Sequence, residues 1–170
     1  MHVRSDVTMT NPDQPLRRTM RDRRFIAEHR GGPLKKEQHY QLIAWACDCA
    51  EHVLPLLGKL PDARLEHALR VAKAWSTGNA PVGDAMKASV AAHAVARESL
   101  TPIAVAVARS AGQAVATAHM ADHAPGAAWY ALKAVKSAGL SADAERQWQD
   151  EQLSPEIRDL VLTARKSRNI

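Results

Sequence analysis

Three short polar clusters carry the side chains in this sequence best suited to chemistry: Asp48-Glu51-His52, His93-Arg97 and His119-Asp122-His123. Spacings of three or four residues place the members of each cluster on one face of a helix. Imidazole beside carboxylate is the pairing for acid–base work near neutral pH, with the carboxylate orienting the ring, and a guanidinium can hold an anionic group. The catalytic candidates are therefore Asp48, Glu51, His52, His119, Asp122 and His123, and the candidates for holding a ligand are His93, Arg97, Gln113 and Tyr130.

Two alternative chemistries fit parts of these clusters. His119 and His123, four apart, could chelate one metal from a single helix, in a pattern similar to the H-x-x-E-H of inverted zincins with Asp122 in the Glu position. The shorter carboxylate displaces the base and no third ligand stands nearby in sequence, so no metal and no cofactor are assigned. Cys49 and His52 lie three apart, but a helix lacks the sharp exposed turn that presents a catalytic thiolate. Cys47 and Cys49 point about 200° apart on a helix, cannot bridge each other, and read as small reduced thiols in a cytoplasmic protein.

The elements that must position these residues are helical throughout. Alanine makes up about a fifth of the 170 residues, and more than a third between Ala85 and Ala138, while aromatics are scarce. Such a composition favours close helix–helix contacts over sheet. A basic helix is expected from Leu16 to about His29, stopped by Gly31-Gly32-Pro33, and an amphipathic one from Leu34 to Leu57, ended or kinked by Pro55. Further helices start at Pro61-Asp62, at Pro81, at Thr101-Pro102 (running to His123), at Gly126, at Ser141 and at Ser154-Pro155. The fold class is all-α: a single compact bundle of about six to eight helices over residues 16–170, its Ala-rich helices from Pro81 to Ser137 central, with 1–15 a loosely attached tail.

Charge and hydropathy narrow the partners. The net charge of +5 resides wholly in Met1 to Lys36, with nine Lys/Arg against four Asp/Glu; the remainder carries 14 of each sign. Few aromatics interleave with these arginines, which speaks against nucleic acid. Arg109, Gln113 and His119 interrupt the longest apolar stretch, Thr101 to Ala121, so no membrane span is expected, and the N-terminus lacks a signal peptide's apolar run. A closely packed alanine seam could also join two copies, which leaves a homodimer open.

At this point the residues resemble a family. The run WACDCAEHVLPL from Trp45 to Leu56 is similar to the opening motif of the bacterial immunity-protein-five-like family. Ala74-Trp75, Ala92 to Arg97, Ala111 to His119, Asp122-His123-Ala124 and YALKAV from Tyr130 to Val135 follow in the family's order, so the resemblance covers roughly Arg24 to Val135. It implies an all-helical protein of polymorphic toxin systems that neutralises a partner toxin by binding and occluding it. Immunity proteins against basic nucleases tend to be acidic, and the basic N-terminus here points away from such a partner. The alternative is a helical-bundle enzyme or small-ligand binder using the polar residues as an acid–base site. Burial cost supplies one geometric expectation: the helix bearing Asp48 and His52 packs against the helix bearing His119 and His123, with Arg97 near both, because buried charges need partners.

Overall fold

The computed structural model describes residues 21–170, and among these the chain forms seven α-helices with a single isolated bridge, Ala27 to Leu34, as its only extended pairing. They are α1 (Lys36–Val53), α2 (Ala63–Ser76), α3 (Val82–Glu98), α4 (Pro102–Ala116), α5 (Ala124–Ser137), α6 (Ala142–Glu151) and α7 (Pro155–Arg168). Starts follow local chemistry. The side chains of Asp62, Thr101 and Ser141 accept from the backbone N–H of Arg64, Ala104 and Ala144 at 2.9, 3.1 and 3.1 Å. Pro102 and Pro155 occupy first-turn positions, where the missing N–H costs nothing. Gly78 and Gly139 end α2 and α5 in the left-handed conformation, which suits a residue without Cβ.

Helix α4 is the hub. It lies between α3 and α5 and is backed by α1 and α2, and eight of its fifteen residues are buried, from Ala106 to Val115. Small side chains permit that crowding: Ala108, Ala111, Gly112 and Ala114 meet Ala127, Ala128 and Ala131 of α5 and Ala88, Ala92 and Ala96 of α3 in one core. Larger apolar groups come from α1, where Leu42, Ile43, Trp45 and Val53 are buried. Helices α6 and α7 lean on the far side of α5 and leave an open cleft between themselves. No helix among the described residues is long and apolar enough to cross a membrane.

Two boundaries differ from the sequence reading. The described part of the expected basic helix, Leu16 to His29, is two 3-10 turns, Arg23–Phe25 and Glu28–Arg30; Leu16 to Met20 and the expected tail lie outside the described residues. Phe25 is buried there and pins the segment to the bundle, with the Arg168 guanidinium 5.7 Å from its ring centre. The helix expected from Pro102 to His123 stops at Ala116. Met120 is extended, at φ −144°, and a 3-10 turn at Ala121–His123 leads into α5. Pro125 needs a first-turn position in α5, which forces the break upstream. Thr117 O, which would otherwise accept from the Ala121 amide, is hydrogen-bonded to His39 Nε2 of α1 at 2.5 Å.

Candidate functional site

The break after Ala116 undoes the premise that His119, Asp122 and His123 share one helical face, and with it the two-histidine chelate. Among the described residues no three His, Cys, Asp or Glu side chains converge as metal ligands. The break instead sends His123 back to α4, where its Nδ1–H donates to Gln113 Oε1 at 2.7 Å. Gln113 can lie flat because it rests on Gly126 of α5, where a Cβ would sit 3.0 Å from Oε1. One turn along α4 and across to α3, the His93 ring packs on Gly112, with 2.7 Å between a Cβ at that position and His93 Cε1. His93 Nδ1 accepts from Arg109 Nη1 at 2.9 Å, and Ser89 Oγ donates to Gly112 O at 3.1 Å.

These contacts gather a row of half-buried polar groups along the outer face of α4, from His123 through Gln113 to Arg109 and His93. Helix register extends it. On α5, Tyr130 stands one turn beyond Gly126, so in the antiparallel α4–α5 pair it falls at the level of Arg109. Tyr130 packs edge-on against Trp129, and the Lys133 ammonium stands 4.5 Å from the Trp129 ring centre. On α3, Arg97 is one turn beyond His93, and Met86 and Val90 on the same side are 45% and 67% exposed. Burial, reinforced by the Arg109 charge, pushes the His93 pKa down, and burial does the same to His123 against the opposing pull of Asp122. Both rings are thus held neutral at pH 7. With Nδ1 of His93 accepting and Nδ1 of His123 donating, the two neutral rings are opposite tautomers.

The remaining candidates lie elsewhere, which corrects the expected single pocket. Glu51 pairs with Lys73 of α2 on the α1–α2 seam; Asp48 lies at the surface beside it, its pKa raised by partial loss of solvent around the carboxylate and by the Glu51 charge. His52 turns to α6, stacks on Trp148 at 3.6 Å and bonds through Nδ1 to Glu145 Oε2 at 2.8 Å. Asp122 pairs with Arg21 at 3.0 Å, and His119 is half-buried on the same turn. Helix α1 does touch that turn, but through His39. Asp48 and His52 lie nine and thirteen residues further along, roughly 13 and 20 Å at the helical rise. Arg97 is exposed, with no ion pair among the described residues. Cys47 and Cys49 are buried, the first thiol pushed by burial up to about 12 and the second well above its ordinary value, so neither is a nucleophile.

The sequence reading missed a buried polar chain at the other end of the molecule. From His52 and Glu145 it continues to Gln149, whose Nε2 donates to Glu145 Oε1 at 3.3 Å and to Ala128 O at 3.1 Å. Gln149 Oε1 then accepts from Arg165 Nη2 at 2.5 Å, and Trp45 Nε1 donates to Gln149 O at 2.8 Å. One sequence signal pointed here. Helix α6 is polar all round apart from Trp148 and two alanines, so docking it must bury polar side chains, and Glu145 and Gln149 sit one turn apart on its inner face.

Fold and surface thus define a class: an all-α, alanine-cored bundle with a polar, aromatic-edged face across three helices. The chain belongs to the Imm-5 like putative immunity protein family, whose family model matches residues 32–156. The match spans α1 through α6 and the start of α7; against the resemblance from Arg24 to Val135 it begins later and extends further at its C-terminal side, and it contains the whole α3–α4–α5 face. No curated protein and no solved structure matches the chain.

Proposed function

We propose that this protein neutralises a partner toxin by occlusion, using the α3–α4–α5 face. The observation that carries this reading is the composition of that face. Arg97, Arg109 and Lys133 have no carboxylate partner among the described residues, and they alternate with exposed Met86 and Val90 and with Trp129 and Tyr130. Arginine and the large aromatics are the residues that dominate binding energy when a partner desolvates them. Arg21, held by Asp122, joins the basic N-terminal segment to the edge of this face. The partner is accordingly acidic where it docks, which fits the basic N-terminal segment at the edge of this face.

Co-expression with the neighbouring open reading frame tests the reading. The neighbour should be toxic alone and harmless beside this chain, and Arg97→Glu with Arg109→Glu should abolish protection while circular dichroism and Tm hold. Loss of a hot-spot arginine costs about 2 kcal/mol, roughly thirtyfold in Kd. Glu51→Ala, on the α1–α2 seam, should leave protection intact. A neighbour that is harmless, or protection that survives both reversals, refutes it. The two neutral rings, oriented by Arg109 and Gln113 on one side of α4, favour a second reading, an acid–base or small-ligand role. That reading requires His93→Gln to abolish an activity measurable without any partner.

A further inference from the structure

The cleft between α6 and α7 lies apart from that face and carries its own chemistry. It is an open cavity of about 390 Å³ whose walls bear three cations, Arg146, Arg165 and Lys166, against one carboxylate, Asp150. That volume is the size of a small-molecule site. Arg165 and Lys166, with Leu162 on the apolar wall, lie beyond residues 32–156, so the cleft needs a part of the chain that the family match does not cover.

Arg165 is the anomaly. It is 5% exposed, packed with its guanidinium 5.5 Å from the Trp45 ring centre, yet only its Nη2 makes a hydrogen bond, to Gln149. Its Nε stands 3.4 Å from Asp150 Oδ1, and neither buried atom completes a hydrogen bond. A guanidinium has five N–H donors, and a buried cation left short of partners is costly. Arg146 donates to Ile170 O at 2.6 Å from the opposite wall, and Lys166 is exposed at the rim.

We propose that this cleft binds a small multivalent oxyanion. Its phosphate or carboxylate group is taken by Arg165 and closed over by Arg146 and Lys166. The anion supplies acceptors to the cleft side of the Arg165 guanidinium, in the planar geometry that group prefers, while Nε stays turned to Asp150. Among the side chains of the cleft three cations stand against one carboxylate, an excess that a phosphate or a di- or tricarboxylate can offset.

Titration calorimetry and thermal shift with inorganic phosphate and citrate test this, beside sodium chloride at matched ionic strength. Saturable binding by phosphate marks a phosphate site, and by citrate a carboxylate site. Removal of both rim cations in Arg146→Gln/Lys166→Gln should weaken that binding at least about tenfold. Shifts no larger than those of sodium chloride, or unchanged in the rim variant, overturn the site. Toxin protection by the rim variant should stay intact, so failure here is distinguishable from failure of the α3–α4–α5 reading.

Discussion

The two ends of this bundle solve the same problem with opposite materials. Along the α3–α4–α5 seam, small residues let backbones approach, and two long polar side chains lie over glycines: His93 on Gly112, Gln113 on Gly126. Both are half-buried, and the polar group fully inside this seam is the small hydroxyl of Ser110, bonded to Ala127 O. At the α6–α7 end, large side chains leave interior space that Glu145, Gln149 and Arg165 fill, at 6%, 0% and 5% exposure. Long polar side chains stay at the edge where backbones are close, and enter the core where the packing residues are large. The seam therefore offers polar groups to a partner, whereas the α6–α7 network spends them on its own cohesion apart from the cleft side of Arg165.

The harshest way to break that contrast is Gln149→Leu. The leucine is close in volume, so the effect reads out hydrogen bonding rather than a cavity. It removes the partner of Arg165 Nη2 and of Glu145 Oε1, leaving both charges buried and under-compensated, while the Trp45 bond to the residue-149 carbonyl survives. The expected loss is about 3 kcal/mol of unfolding free energy in urea. A loss below about 1 kcal/mol would mean that the network is incidental and the two ends are alike.

A milder change probes the seam. Gly112→Ala should gain about 1 kcal/mol from helix propensity, but its Cβ falls 2.7 Å from the His93 ring, which must swing away and lose Arg109. The two effects nearly cancel in the native background. In a His93→Ala background the obstacle is gone, and the same substitution should stabilise by about the full 1 kcal/mol. A coupling of that size in the double-mutant cycle establishes that the ring is held by the close approach, and additivity denies it.

How far the sequence foretold all this depended on whether a signal was local. The starts at Asp62, Thr101-Pro102 and Ser154-Pro155 were legible because a cap and a first-turn proline act within one turn. The end of α4 was not, because Pro125 requires a break upstream without fixing where between Thr117 and His123 it falls. The Thr117 carbonyl at that end is held by His39, 78 residues away. The candidate site divided in the same manner. His93, Gln113 and His123 were named and do meet, whereas Asp48, Glu51 and His52 face α2 and α6, since an i, i+4 pattern fixes a face and not its neighbour. Arg165 read as a cation placed to suit the end of α7, and only α6 docking beside it makes it a buried one.

The smallest expected effect concerns pH, and it also separates the two regions. Burial is the largest influence on His39, His93 and His123, and it lowers all three below their ordinary value of 6.5. The charged groups around them mostly act in the same direction: His29 and Arg30 for His39; Arg109, Arg97 and His123 for His93; His119, Arg21 and Arg168 for His123; opposing burial are the Thr117 carbonyl bonded to the His39 ring and Asp122 beside His123. The unfolded chain therefore binds protons more readily than the folded one, so stability is complete above about pH 6.5 and declines as pH falls toward the folded-state values. Unfolding free energy measured from pH 7.5 to 5.5, where most carboxylates stay ionised, should fall steadily in the native protein. In His93→Gln/His123→Gln it should fall less steeply, because glutamine keeps a hydrogen-bonding side chain at each position and takes up no proton. Equal slopes would show that neither seam histidine is held neutral, and the polar edge of the seam would then be ordinary solvated surface.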